Sequence, residues 1–328
     1  MTSVNRRAFV TGLGAVLTVP LAAEAQEKVR RIGHLGGASP SAIAPWLNAL
    51  RHAMAELGWR EPEAFTIEQR SAEGHFERLP VLAAELVRLP VDVIIAGTTP
   101  AAQAARGATS SIPIVTTVVA DPVSSGLVAN LARPGGNVTG LTLFAGPEIV
   151  GKYVELLKAV VPTLSRLAVL WNSTLRSHPP LVKQAEIAAR TVGCELRLAA
   201  ARTSNEIDSA FETMAREQAD GLIVLADPMF FLERARLARL ALKHRLAAMY
   251  GLREHVDSGG LMSYAANIHD LYRRAATYVD RIFRGTRPAD LPVEQPTTFD
   301  FVINLKTAKA LGLTIPPSLL LRADQVIE

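Results

Sequence analysis

The sequence predicts an α/β protein of two lobes, each built on a parallel sheet with helices on both faces. Short apolar runs alternate with segments of helical periodicity, which is the pattern of β–α units. This alternation restarts after residue 142, and 328 residues are enough for two domains of about 150 each. An aspartate also precedes a proline by eight residues at both Asp92–Pro100 and Asp220–Pro228, so the two series echo each other.

The first series begins with a short strand after residue 30 that ends in the glycine-rich segment 36–40. A buried strand at 113–119 stops at Asp-Pro, a turn dipeptide. Three more strands are predicted in this series, at 65–70, 91–96 and 137–142. Its predicted helices lie at 41–58, at 79–87, in the segment that follows residue 98, and at 127–131.

The second series follows a linker at 143–147 and repeats the same order of elements. Its predicted strands lie at 167–172, 195–200, 221–226, 247–250 and 260–264, and its helices at 148–161, 181–192, 207–218 and 230–246. A helix at 268–283, a strand at 298–303, a short helix at 305–311 and a tail remain, so the chain is long enough to cross between lobes again.

Composition favours a packed globular protein, because 49% of the residues are apolar and only 20% are charged. The formal charge is +4, but the basic residues are scattered and do not interleave with aromatic residues, so a nucleic-acid partner is not expected. Cys194 is the single cysteine, which excludes an intrachain disulfide and predicts a buried thiol.

The N-terminus is typical of an export signal. Arg6-Arg7 matches the twin-arginine pattern, an apolar segment follows, and Ala23-Glu24-Ala25 offers a cleavage site before Gln26. An ordinary signal that happens to carry two arginines is the alternative. We therefore expect residues 1–25 to be removed and the mature protein to be periplasmic, without a lipid anchor because no cysteine lies near the cleavage point.

One stretch carries a specific resemblance. The series D-P-V, G-L-V and L-A-R-P-G-G-N-V-T-G within residues 121–140 resembles the solute-binding proteins of ABC importers, close to tryptophan- and tyrosine-binding lipoproteins. The resemblance extends over essentially all of the mature chain. It implies the type 1 periplasmic-binding-protein fold, in which two Rossmann-like lobes are joined by three crossover hinge segments. It further implies lobe boundaries at 26–143 plus 266–291 and at 144–265 plus 292–328.

Ligands of open parallel sheets gather beyond the carboxyl ends of the strands, where helix N-termini present free N–H groups. Helix capping is the alternative role for Thr98, Thr99, Ser39 and Asp227, turn formation for Asp121, and core packing for Tyr250. The candidate ligand-binding residues at such positions are Ser39, Thr98, Thr99, Asp121, Asn172, Asp227 and Tyr250.

The resemblance suggests an amino acid or aromatic acid as ligand, with hydroxyls and helix N-termini for its carboxylate and Asp227 for its ammonium group. No phosphate-binding loop, zinc-protease motif or nucleophile elbow is present, and the seven histidines form no i, i+4 pair. Each histidine is interpreted as a surface or strand-end residue.

The sequence therefore predicts a non-enzymatic, monomeric binding protein that uses no cofactor or metal and docks on a membrane permease. A periplasmic α/β enzyme, and a ligand sensor that signals to a membrane receptor, are the alternatives.

Overall fold

The computed structural model describes residues 29–328. The predicted signal peptide lies outside the described residues. The first part of the chain forms β1 (Arg30–Gly36), α1 (Pro40–Glu56), β2 (Phe65–Ser71), α2 (Leu79–Arg88), β3 (Val93–Ala96), α3 (Thr99–Ala108), β4 (Ile114–Val119) and β5 (Val138–Thr142).

The remaining elements follow in chain order. They are α4 (Ile149–Val160), β6 (Arg166–Trp171), α5 (His178–Thr191), β7 (Glu195–Ala200), α6 (Ile207–Arg216), β8 (Gly221–Val224), α7 (Pro228–Leu232), α8 (Arg234–Lys243), β9 (Ala247–Tyr250), α9 (Glu254–Asp257), β10 (Met262–Ala265), α10 (Ile268–Phe283), β11 (Asp300–Asn304), α11 (Leu305–Leu311), α12 (Pro317–Leu320) and β12 (Gln325–Ile327).

The first lobe is built on a five-stranded sheet in the order β2-β1-β3-β4-β5, and all its neighbouring strands are parallel. Both faces are covered, which is why the central strand β3 is continuously apolar and fully buried. Val93 and Ile95 belong to the core beneath α1 and α10, whereas Ile94 belongs to the core beneath α2 and α3. The predicted α/β class with parallel sheets is confirmed here.

The second lobe is built on a seven-stranded sheet in the order β12-β11-β10-β9-β8-β6-β7. Its strands are parallel except β10 and β11, which pair antiparallel because the chain enters β11 after returning from the first lobe. Alternate residues of β6 again face opposite cores: Val169 packs with α4 and α5, and Leu170 packs with α6 and α8.

Within residues 29–328 the chain crosses between the lobes three times, as the predicted fold requires. It leaves β5 for α4, returns from β10 to α10, and leaves α10 for β11. The first and third crossings run side by side. Thr142 N–H donates to the Glu294 carbonyl at 2.9 Å, and the Gln295 side-chain amide donates to the Ala145 carbonyl at 2.5 Å. The two crossings therefore form a hydrogen-bonded pair at the hinge.

The prediction of a helix at 127–131 is wrong, because a single turn at 122–126 is followed by an irregular segment. The Asp121 carboxylate caps that turn by accepting the N–H groups of Val123 and Ser124 at 3.0 Å each. Gly126 then ends it in the left-handed conformation, with a φ of +70° and its N–H bonded to the Val123 carbonyl at 2.9 Å. The apolar side chains of the segment that were predicted to lie on one helix face still pack into or against the core.

The prediction of a single helix at 230–246 is also wrong. This segment contains two helices, α7 and α8, separated at Glu233, whose backbone is not helical. The Glu233 carboxylate accepts a hydrogen bond from the Ser204 hydroxyl at 2.5 Å. Cys194 is buried as predicted, and its thiol donates to the Leu164 carbonyl. Within residues 29–328, no helix combines the length and the apolar character needed to cross a membrane.

Candidate ligand-binding cleft

A cavity of about 700 Å³, its open mouth included, lies between the two lobes. The first lobe contributes residues from the ends of β1 and β3, and the second contributes residues from the end of β8 and from α7. The cleft is thus built where ligands of parallel sheets normally bind, beyond the carboxyl ends of the strands.

Four aromatic rings line this cleft in a continuous row. The ring centroids of His34 and Tyr272 lie 6.0 Å apart, those of Tyr272 and Trp46 5.9 Å, and those of Trp46 and Phe231 5.5 Å. His34, Trp46 and Tyr272 belong to β1, α1 and α10 of the first lobe, whereas Phe231 belongs to α7 of the second. The row therefore crosses the cleft and forms a largely apolar wall suited to a flat, apolar group.

Thr98 and Thr99 present hydrogen-bond donors to the cavity from the N-terminus of α3. The Thr98 hydroxyl accepts the Ala101 N–H at 3.3 Å, and the Thr99 hydroxyl accepts the Ala120 N–H at 3.3 Å. Each hydroxyl still has its own hydrogen to donate. Pro100 has no N–H, so the N–H of Thr99 is the first-turn donor left for an outside acceptor. This end of the cavity favours an anionic group.

Asp227 lines the opposite wall and is only 2% exposed. One carboxylate oxygen accepts the N–H groups of Met229 and Phe230, at 2.6 and 3.1 Å, which caps α7. The other accepts the Asn172 side-chain amide at 3.0 Å. Burial raises the pKa of Asp227, and these donors oppose that shift. A carboxylate oxygen with one donor retains a lone pair, so this wall favours a cationic group.

His178 supports Asp227 from behind. Its Nδ1 accepts the Asn172 N–H at 3.0 Å, and its Nε2 lies 3.2 Å from the Ala226 carbonyl, which can only accept. The ring is therefore neutral with its proton on Nε2, in agreement with burial lowering the pKa of His178. The interpretation of every histidine as a surface or strand-end residue is wrong for His178 and His255. Both lie in helices and are fully buried.

The structure brings Thr98, Thr99 and Asp227 together at the cavity. The other predicted residues are not among those that line it. Ser39 caps α1 through the Ala42 N–H at 3.4 Å, and Asp121 holds the turn after β4.

Asn172 does not line the cavity. Its side-chain amide donates to Asp227 and its side-chain oxygen accepts from Thr174, so it positions Asp227 and the turn at Thr174. Tyr250 is fully buried and stacks on His255, with the ring centroids 4.9 Å apart.

Sequence reasoning missed the aromatic residues that line the cavity. Trp46 lies in the first half of α1 and Tyr272 near the start of α10, where helical periodicity marks both as core residues. Phe231 follows the capped turn at Asp227 by four residues, so its closeness to a predicted site residue was the available signal. His34 could have been identified by its place two residues before the glycine-rich loop.

The two polar ends of the cavity are opposite in character and lie on different lobes. Donors come from the first lobe and the Asp227 acceptor comes from the second. Among residues 29–328, no group of three or more histidine, cysteine, aspartate or glutamate side chains is arranged to hold a metal ion. The geometry is that of a site for a zwitterion with an apolar body.

Comparison with known proteins agrees with this geometry. The family described as ABC transporter substrate binding protein matches residues 40–327. A tyrosine-binding protein of Clostridioides difficile is 27% identical over 261 residues, which cover 80% of this chain and 74% of that protein.

Solved structures give the same result. A Streptococcus pneumoniae ABC domain in complex with L-Trp is 28% identical with a TM-score of 0.84, and the match covers 91% of this chain and 100% of that one. CD0873 from Clostridium difficile is a substrate binding protein with adhesive properties. Its ligand-free, open structure is 26% identical with a TM-score of 0.70, and the match covers 92% of this chain and 99% of that one. The fold is the type 1 periplasmic binding protein fold, and the chain belongs to the family of ABC transporter substrate-binding proteins.

Proposed function

We propose that this protein is an exported solute-binding protein of an ABC importer that captures an amino acid with an aromatic side chain. The observation that carries this proposal is the distribution of chemistry in the cleft. An aromatic wall separates hydrogen-bond donors on one lobe from a buried carboxylate on the other. A free amino acid is the simplest small molecule that satisfies all three features.

In the proposed complex the ligand carboxylate binds the hydroxyls of Thr98 and Thr99 and the Thr99 N–H. The ligand ammonium donates to Asp227, and its side chain packs among Trp46, Tyr272 and Phe231. Hydrogen bonds with a charged partner contribute about 1.5–3 kcal/mol each. Because the two charged ends bind different lobes, the ligand itself holds the cleft closed.

Closure by a hinge is the second part of the proposal. The lobes proposed to move comprise 26–143 plus 266–291 and 144–265 plus 292–328, joined by the three crossings. The chain resembles the L-Trp complex, with a TM-score of 0.84, more than the ligand-free open structure at 0.70, although the two identities are nearly equal. This difference supports a closed arrangement in the present structure. Closure excludes water and strengthens each polar contact in the cleft.

Export and delivery complete the proposal. Arg6-Arg7 and the A-x-A pattern before Gln26 support export to the periplasm without a lipid anchor. We propose that the closed, ligand-loaded monomer docks on a membrane permease and that the protein performs no chemistry on its ligand.

Thermal unfolding of residues 26–328 with a panel of amino acids, aromatic acids and small carboxylates tests the proposal. A ligand at one hundred times its Kd stabilises the folded state by about 2.7 kcal/mol. We expect L-tryptophan or L-tyrosine to raise the melting temperature and to be recovered chemically unchanged. Consumption of the compound would establish an enzyme instead. Stabilisation only by compounds without an ammonium group would contradict the role of Asp227.

A further inference from the structure

His34 is the polar side chain in the floor of the cleft that the proposed complex leaves unused. It is fully buried, it lines the cavity, and no described residue pairs with its Nδ1 atom. An unpaired buried polar atom is costly, so a partner from the ligand would remove that cost.

The hydrogen bond behind the ring occupies its other nitrogen. The Tyr272 hydroxyl oxygen lies 3.0 Å from His34 Nε2, and the direction of this bond depends on which ring nitrogen carries the proton. Tyr272 therefore pairs with Nε2, and Nδ1 is the ring nitrogen left for a ligand.

The ring at this position is neutral, since burial and the nearby Arg51 lower the pKa of His34 to about 4. A neutral imidazole carries one N–H and one bare lone pair, so Nδ1 can form one hydrogen bond, as acceptor or as donor according to the tautomer.

Two glycines keep this arrangement open. A Cβ atom on Gly97 would lie 2.8 Å from the Tyr272 hydroxyl oxygen and 3.4 Å from His34 Nε2, and would disturb their hydrogen bond. A Cβ atom on Gly36 would lie 3.0 Å from Cε1 and 3.7 Å from Nδ1 of His34. Both glycines line the cavity, so neither position places a side chain between the cavity and the Cε1–Nδ1 edge of the ring.

We propose that His34 Nδ1 forms a hydrogen bond with an N–H or O–H group on the ligand's aromatic ring. The cleft then selects tryptophan- or tyrosine-like side chains over phenylalanine. This inference rests on the proposed function, and it adds how the cleft distinguishes similar aromatic amino acids. A site built to form such a bond rejects the analogue that lacks the polar group, because the buried Nδ1 is then left unpaired.

Matched ligand pairs test this by calorimetric titration of residues 26–328. L-Tyrosine and L-phenylalanine differ by the hydroxyl, and L-tryptophan and 3-benzothienyl-L-alanine differ by the ring N–H. We expect wild-type protein to prefer the donor-bearing member of at least one pair by about tenfold or more. His34→Phe keeps an aromatic ring but removes Nδ1, and should reduce that preference to about twofold or less while binding of the donor-free member is retained.

The possible results separate the two proposals. Equal wild-type affinities within both pairs would overturn the role of His34 and leave the proposed function intact. A preference that persists in His34→Phe would also overturn it. Failure of all four compounds to bind wild-type protein would overturn the proposed ligand class and this inference together. The wild-type comparison does not depend on whether His34→Phe folds.

Discussion

The rings of Trp46 and Phe231 meet across the cleft, with centroids 5.5 Å apart and planes inclined at 48°. Trp46 belongs to α1 of the first lobe and Phe231 to α7 of the second, and each is only 8% exposed. Arg234 lies over the Phe231 ring at 4.6 Å from its centroid. If the cleft opens as proposed, both rings become exposed to water, so their contact should stabilise the closed form whether or not a ligand is bound.

Phe231→Ala should weaken ligand binding by about two- to tenfold, because an aromatic pair contributes about 0.5–1.5 kcal/mol beyond its buried area. Titration with L-tryptophan measures the change. Val81→Ala on α2 is the control, since Val81 is 64% exposed and distant from the cleft residues. Unchanged affinity in Phe231→Ala would show that the ring contact does not contribute to closure.

Asp227→Asn should separate the capping role of this residue from its charge. An asparagine oxygen can still accept the N–H groups of α7, so the melting temperature should fall by no more than a few degrees. Loss of the charge should weaken binding of an aromatic amino acid by about tenfold or more. The matching deaminated acid should be bound equally well by both proteins, and a parallel loss for that acid would contradict the proposed ammonium contact.

Gly97→Ala and Gly107→Ala should have opposite effects on stability. The added methyl at Gly97 would lie 2.8 Å from the Tyr272 hydroxyl oxygen, and such overpacking costs about 1–3 kcal/mol. Gly107, inside α3, has no atom within 4 Å of the added methyl, so the change should stabilise the helix by about 0.5–1 kcal/mol. Urea unfolding of both variants measures these differences. Stabilisation by Gly97→Ala would contradict the close approach of Tyr272.

Burial of His34 should make stability fall in weak acid. The folded-state pKa is lowered from 6.5 to about 4, so its contribution to the free energy of unfolding is complete above pH 6.5. As the pH falls from 6.5 to 4, this histidine is protonated in the unfolded chain but stays neutral in the folded protein. The free energy of unfolding therefore decreases by about 3 kcal/mol.

Urea unfolding of wild-type and His34→Phe protein at several pH values isolates this contribution. His255 acts in the same direction, with a pKa of about 4, and Glu254 in the opposite direction, with a pKa raised to about 7 by burial. Both groups remain in the variant and cancel in the comparison. The stability of His34→Phe should therefore depend less on pH between 6.5 and 4, and identical slopes would contradict a neutral buried ring.

Most of the fold could be predicted because its causes are local. The strands of both lobes are apolar runs bounded by turns, and α10 was predicted with its observed limits, 268–283. The backbone of segment 127–131 could not be predicted in this way. It is determined by the Asp121 side chain and by Gly126, and the spacing of apolar residues contains no information on either.

The candidate site could be predicted only in part, for a related reason. Thr98 and Asp227 follow buried strands and cap helices, so sequence places them at the sheet edge. Trp46 and Tyr272 become cleft residues because α10 returns from the other lobe and packs on α1. No local pattern distinguishes them from ordinary core residues, since their position depends on a crossing more than two hundred residues along the chain.

The paired crossings would shape the proposed closure. Because the Glu294 carbonyl accepts from Thr142 and Gln295 donates to Ala145, a change in lobe angle would bend both crossings together. The free energy needed to bend this pair would then contribute to the difference between the proposed open and closed forms. Substitutions at 144–147, none of which lines the cleft cavity, should therefore change the affinity for every ligand by the same factor, without altering selectivity.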